Sequence, residues 1–396
     1  MAALETATAG LGTPYAVVDL DAFDRNTAAL ERRAGGKPLR VASKSVRSRA
    51  LLDRVLARPG WLGVLAFTLP EAIWLATDVE DVVVGYPSVD REALTTLAGD
   101  EKLLDRVTIM VDSEEQLDFY ESVVGSDGPA IRVCLDLDAS LRLLGGSVHL
   151  GMRRSPLHAP DDLRRLAEAV ARRRRFRLSG VMCYEGQIAG LGDNAGTRVR
   201  KAGIRAMQRF SADELRERRA AAVAAVQAVA PLDFVNGGGT GSLERTASEE
   251  CITDIAAGSG LFGPVLFDGY QSFRPEPAAF FVLQVVRRPG PKHVTVLGGG
   301  WIASGPAGTD RLPTPVWPEG LRMVREEGAG EVQTPLVGEA VARLRVGDRV
   351  WFRHAKAGEL CEHVEALHLV HGAEKGEGAM AVEAVASYRG EGRCFL

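Results

Sequence analysis

Between residues 37 and 268, short apolar runs alternate with amphipathic segments. The runs fall at 39–43, 62–66, 82–85, 107–111, 131–136, 178–183, 234–236 and 253–257. Val82-Val83-Val84 and Val107-Thr108-Ile109-Met110-Val111 are unbroken and rich in β-branched residues, the pattern of strands covered on both faces. The intervening segments 48–57, 70–77, 90–97, 113–124, 161–174, 212–229 and 243–250 have helical periodicity, and another, 20–33, precedes the first run. Ser113, followed by Glu115 and Gln116, marks a capped helix start. Eight strand–helix units in sequence predict an α/β fold, a (β/α)8 TIM-type barrel.

After Pro275 the pattern changes. Segments 278–287, 293–297, 349–353, 366–370 and 379–387 read as strands, and Gly and Pro cluster between them, as at 312–318 and 328–330. The chain therefore divides into a barrel over 14–270 and a C-terminal β-rich domain over 271–396, with residues 1–13 expected to pack on the second.

Composition narrows the class without naming a function. The chain has 396 residues, 46% hydrophobic and 25% charged, as in soluble globular proteins. A net charge of −4 gives no reason to expect nucleic acid or an acidic membrane surface as partner. The basic run Arg172–Arg175 closes a helical segment and suits the helix dipole. Cys134, Cys183, Cys251, Cys361 and Cys394 are scattered and form no disulfide framework. Residues 1–10 lack a signal-peptide pattern, and no run of ~18 apolar residues occurs. The expectation is a soluble cytoplasmic protein acting on a small molecule.

Candidate chemistry begins with lysine, which is scarce. Against 41 arginines there are seven lysines, and only Lys44 ends a barrel strand just before a helix. An amine at the mouth of a parallel sheet is partly desolvated, which lowers its pKa and lets it form a Schiff base. The seventh run leads into Asn236-Gly237-Gly238-Gly239-Thr240-Gly241-Ser242, whose backbone amides and hydroxyls suit an anion. The eighth leads into Gly258-Ser259-Gly260, and phosphate sites after strands seven and eight recur in such barrels. A lysine at strand one and a phosphate cradle at strand seven suggest pyridoxal 5′-phosphate.

The chain resembles the fold-type III pyridoxal-phosphate enzymes, the alanine racemase-like barrels, and within them the D-serine dehydratase and D-threonine aldolase branch. The resemblance is carried by Thr13-Pro14-Tyr15-Ala16-Val17-Val18-Asp19, Arg40-Val41-Ala42-Ser43-Lys44, Gly151-Met152-Arg153-Arg154, Tyr184-Glu185-Gly186-Gln187 and the glycine run. It implies Lys44 as the catalytic, cofactor-bearing lysine. It also implies Arg40, Arg154, Tyr184, Gln187, Gly238, Gly239, Thr240, Gly258, Ser259 and Gly260 as cofactor-binding residues, with Arg154 reaching the phenolic oxygen. Where the branch has histidines around the lysine, this chain has Val41-Ala42 before it and Ser45-Val46-Arg47 after it.

The branch also holds a divalent metal in its C-terminal domain through His-x-Cys or His-x-Asp. Four of seven histidines lie between 354 and 371 here, with Glu359 and Cys361 among them. His354 and Cys361 are the expected ligands and Glu359 the rival; zinc is the first expectation, manganese or magnesium the alternatives. The activity implied is a lyase acting on a β-hydroxy D-amino acid. It would be dehydration to keto acid and ammonia, with D-threonine aldolase-type cleavage as the alternative. A racemase needs a second base, and after Tyr270 the only tyrosine is Tyr388. A non-catalytic cofactor carrier would lack the β domain. A homodimer is the family's expected state. Asp136 and Asp138 end the fifth strand and either orient Arg154 or serve surface and capping roles; Gly298-Gly299-Gly300-Trp301 either presents backbone and indole to the site or forms a structural turn.

Overall fold

The computed structural model describes residues 1–373 and 381–396. The chain enters through strand β1 (Tyr15–Asp19). Asp19 ends that strand and caps the helix Leu20–Arg33, its carboxylate accepting from the Asp21 and Ala22 amides at 3.1 and 3.2 Å. The barrel follows: β2 (Leu39–Ala42), β3 (Trp61–Ala66), β4 (Val82–Val84), β5 (Val107–Val111) and β6 (Ile131–Asp136). A small hairpin, β7 (Leu141–Leu143) and β8 (Val148–Leu150), then interrupts the alternation. It resumes with β9 (Phe176–Cys183), β10 (Phe234–Gly237) and β11 (Asp254–Ala257). All eight barrel strands are parallel, and the cylinder closes where β11 pairs with β2 in the register Ile255↔Leu39, Ala256↔Arg40, Ala257↔Val41.

The inward side chains Val83, Met110, Cys134, Met182 and Phe234 fill the barrel as a separate apolar cluster. The outward ones join the helices in the main core. Below the mouth, Arg40 is 2% exposed and clamped between Asp254 (3.0 Å) and Asp81 (2.8 Å). The expected helix at 212–229 is the end of a longer one, Arg198–Gln227.

The second domain is a nine-stranded sheet. Its strands are β12 (Ala279–Gly290), β13 (His293–Leu297), β14 (Thr314–Trp317), β15 (Leu321–Met323), β16 (Gln333–Gly338), β17 (Arg349–Arg353), β18 (Ala366–His371) and β19 (Ala381–Ala386), joined by β1. β1 runs antiparallel to β12 and parallel to β18. Residues from 14 to 19 therefore belong with the second domain, not with the barrel assigned from the sequence. Residues before them pack there too: Leu4 joins Tyr15, Phe280 and Trp351 in one cluster, and Arg349 donates to the carbonyls of Thr8, Ala9 and Leu11. Lys375 and the first two residues of the strand expected at 379–387 lie outside the described residues. Among the described residues, no helix is long and apolar enough to cross a membrane.

Candidate active site

Strand β2 ends at Ala42, and one 3-10 turn, Ser43–Ser45, carries Lys44 over the barrel mouth. The lysine is half-buried, and its Nζ donates to the Tyr86 hydroxyl at 2.9 Å. Tyr86 follows β4. Burial pushes its phenol up, but the charges of Lys44 and Arg154 outweigh that and hold it below its ordinary value. The Arg154 guanidinium lies 5.1 Å from the Tyr86 ring centre and 5.3 Å from that of Tyr184. The three strand ends β2, β4 and β9 thus converge on one cationic, aromatic-walled point.

On the far side the glycine run after β10 folds into a cradle. A Cβ on Gly239 would lie 3.1 Å from the Tyr184 ring, so the backbone runs directly against that side chain. A Cβ on Gly241 would strike the Ala189 carbonyl, and one on Gly258 would come within 2.6 Å of the Ala42 carbonyl. The Thr240 hydroxyl accepts from Ser259 Oγ and from the Gly260 amide, both at 3.2 Å, which ties the two loops together. The amides of Thr240, Gly241 and Ser259 make no hydrogen bond to a protein acceptor among the described residues. Free amides and hydroxyls gathered by close-packed glycines fit a phosphate group.

Glu185 holds this cradle, and nothing in the sequence marked it out beyond its place after Tyr184. It is 2% exposed. Its carboxylate accepts from the Gly238 amide at 3.1 Å and from Ser242 Oγ at 2.9 Å, and also from the Thr246 hydroxyl. Buried Arg219 neutralises it at 3.0 Å, and Arg219 is shared with Glu249 at 2.9 Å.

The other expected residues divide. Gln187 is buried near the site; its Nε2 donates to Ala139 O and Ser211 Oγ, while its Oε1 makes no hydrogen bond among the described residues. Arg40 lies on β2, four residues before Lys44, and is held in ion pairs with Asp81 and Asp254. Asp136 borders a small recess with Arg154 and Tyr184. Burial raises its carboxyl to about 7, partly countered by Arg154. Asp138 turns away, accepting from Ser140 and from Arg142 at 2.6 Å. Trp301 stacks between Phe281 and His363 and is packing.

The metal ligands expected from the sequence have separate neighbours. His354 is 2% exposed and packs edge-on against Phe262; burial lowers its imidazole to about 3. Cys361 sits behind the Lys44 turn, its thiol donating to Val46 O at 3.2 Å and pushed up to about 12 by burial. Glu359 accepts from the Ser304 amide at 2.9 Å. Among the described residues, no group of three His, Cys, Asp or Glu side chains is arranged to hold a metal ion. Both ring nitrogens of His354 lack a hydrogen-bond partner among the described residues, while Cys361 and Glu359 turn to partners of their own.

Lys356, not singled out from the sequence, lies on the second-domain loop that rests on the Lys44 turn. It is half-buried, and its Nζ is 3.4 Å from Ser304 Oγ. Burial lowers its amine; Glu359 opposes that, Arg311 and Lys44 add to it, and Tyr86 also opposes it.

The family model for the alanine racemase N-terminal domain matches residues 18–264. The chain belongs to this family. The match covers the whole barrel and ends before β12. A D-threonine aldolase of Arthrobacter sp. is 26% identical over 304 residues, covering 74% of this chain and 72% of that protein. Two solved structures share the two-domain fold over 96% of this chain. The D-threonine aldolase of Filomicrobium marinum superposes with a TM-score of 0.78 at 23% identity, covering 96% of that chain. The D-threo-3-hydroxyaspartate dehydratase of Delftia sp. HT23 superposes with a TM-score of 0.72 at 20% identity, covering 98% of that chain. A variant of that dehydratase is described in a metal-free form.

Proposed function

We propose that this chain is a pyridoxal-phosphate-dependent lyase that eliminates water from a β-hydroxy D-amino acid, giving a keto acid and ammonia. The observation that carries the reading is the juxtaposition of Lys44, hydrogen-bonded to Tyr86, with a glycine-rich cradle in which the Thr240, Gly241 and Ser259 amides are free. Lys44 would hold the cofactor's aldehyde carbon. Thr240, Gly241, Ser259 and Gly260 would hold its phosphate, and Arg154, beside Tyr86 and Tyr184, would meet its anionic ring oxygen. When bound, the cofactor supplies an electron sink that lets a bond at the amino acid's Cα break heterolytically.

The protein's own groups do the rest. Once the substrate amine takes its place, the Lys44 amine is free to accept the Cα proton, and Tyr86 keeps it aimed at the mouth. Tyr184 and Gly239 form a close-packed wall that excludes water from one side. Tyr388 is 2% exposed and its hydroxyl donates to Glu71 at 2.8 Å, so it offers no second base within this chain. That favours a lyase over a racemase. The D configuration and the β-hydroxyl are taken from the named relatives, as is a homodimeric assembly. Aldol cleavage is the second reading, favoured by the sequence similarity to the Arthrobacter aldolase.

The test is the absorption spectrum of the purified protein and of Lys44→Ala, followed by product analysis with D-serine, D-threonine and D-3-hydroxyaspartate. A visible band lost in the variant, with keto acid and ammonia as products, supports the proposal. Glycine and an aldehyde would establish aldol cleavage instead. Absence of any band after the cofactor is added would overturn both.

A further inference from the structure

Hydroxide is a poor leaving group, so water elimination needs an acid or a Lewis acid at the β-oxygen. The carboxylate, thiol and imidazole side chains that could have held a metal point to different places. The second-domain loop that rests on the Lys44 turn carries one amine, Lys356.

The loop that bears it is clamped onto the Lys44 turn. Gly358, at φ +106°, presses against the Lys44 carbonyl so closely that a Cβ would overlap it. The same carbonyl accepts from Arg47 Nε at 3.1 Å, and Arg47 pairs with Glu362 at the far end of the loop. The Cys361 thiol donates to the Val46 carbonyl at 3.2 Å. Ser304 braces the near end, its amide on Glu359 at 2.9 Å and its hydroxyl beside Lys356 at 3.4 Å. The Lys356 amine is half-buried beside Ser304, on a loop whose backbone is held against the Lys44 turn.

We propose that Lys356 is the acid of this site: its ammonium hydrogen-bonds the substrate's β-hydroxyl and protonates it as the Cβ–O bond breaks, so elimination proceeds without a divalent metal. This rests on the lyase reading above. The Cα–H bond breaks, its proton passes to Lys44, and its electron pair forms the Cα–Cβ double bond. The Cβ–O pair leaves with oxygen, which takes a proton from Lys356 and departs as water. Lys356 regains a proton from solvent and Lys44 returns one to it. The released enamine adds water and yields keto acid and ammonia.

The test compares two leaving groups in the holoenzyme after dialysis against chelator, with metal content read by atomic emission. The substrates are the preferred β-hydroxy D-amino acid and β-chloro-D-alanine, whose chloride departs without a proton. We expect no stoichiometric metal, and water elimination that survives chelation. Lys356→Met should cut water elimination about 100-fold or more, chloride elimination far less, and leave the cofactor's visible band in place. Lys356→Arg, which keeps the charge but is a poor proton donor, should remain impaired on the hydroxy substrate. Chelator-sensitive activity restored by zinc would overturn the proposal, as would equal losses on both substrates. If the wild type eliminates neither leaving group, the lyase reading itself fails.

Discussion

The Lys44 amine and the Tyr86 hydroxyl, contributed by different barrel strands, meet at 2.9 Å over the barrel mouth. Each answers a need of the other. The phenol gives a half-buried amine a polar partner, and the two cations Lys44 and Arg154 hold the phenol below its ordinary value against the push of burial. Tyr86→Phe removes the partner and keeps the ring under Arg154. A hydrogen bond to a charged group contributes about 1.5–3 kcal/mol, so kcat should fall roughly 10- to 100-fold. The cofactor's visible band should persist, because Lys44 remains. A variant with unchanged kcat would show that Tyr86 only lines the site.

Glu185 is the single carboxylate behind the glycine cradle. Glu185→Ala leaves Arg219, fully buried, with Glu249 as its remaining ion-pair partner among the described residues. Removing one partner of a buried pair costs about 3–5 kcal/mol. The variant should therefore melt well below wild type and bind the cofactor more weakly, read by thermal unfolding and by fluorescence titration. Glu185→Gln keeps an acceptor for Gly238 or Ser242 and should lose less. Equal cofactor affinity in all three proteins would exclude a cradle role.

Two buried carboxyls make the fold sensitive to alkali. Burial raises Glu71 to about 7, despite hydrogen bonds from Phe67, Ser43 and Tyr388, and raises Asp136 to about 7 beside Arg154. Folded values above the unfolded ones mean that the folded state holds protons the unfolded chain releases. That contribution is complete below about pH 4, shrinks as pH rises, and is gone above about 7. Stability should therefore decline between pH 5 and 8 by an amount on the order of 2–3 kcal/mol per group. Glu71→Gln should flatten the decline in urea melts across this range. A wild-type curve rising through that range would contradict the burial argument.

Much of this was legible in the sequence, for identifiable reasons. Strands covered on both faces must be apolar along their length, so β4 and β5 announced themselves as Val-rich runs. Lys44 stood out because lysine is rare here, and the glycine run because close packing leaves no room for a Cβ. The strands β14, β15 and β16 were missed; they are three to six residues long and bounded by Gly and Pro. β1 was assigned to the barrel because nothing local tells one apolar strand from another; its partners lie more than 250 residues away. The surroundings of His354 and Cys361 were not legible because residue types alone carry no direction: one side chain packs on Phe262, the other bonds the Val46 carbonyl. Lys356 escaped notice because a metal site was sought among thiols, imidazoles and carboxylates, and an amine is none of these. Tyr86 and Glu185 act from loops just past strand ends, where side-chain periodicity no longer reports burial.

Gly358 joins the two domains at the point where their chemistry meets. Its φ of +106° is one that side chains rarely adopt, and any Cβ would collide with the Lys44 carbonyl. Gly358→Ala must therefore lift the loop, carrying Lys356 away from Lys44 while most of the β-domain sheet stays in place. Strain of this kind costs about 1–3 kcal/mol, so the melting temperature should drop by a few degrees. Water elimination should fall far more than that loss of stability accounts for, because a displacement of about an ångström at a reacting group can cost roughly 100-fold. Chloride elimination in the same variant should fall less, since the lifted group is not needed for it. If both reactions and the melting temperature decline together, the loop serves the fold alone.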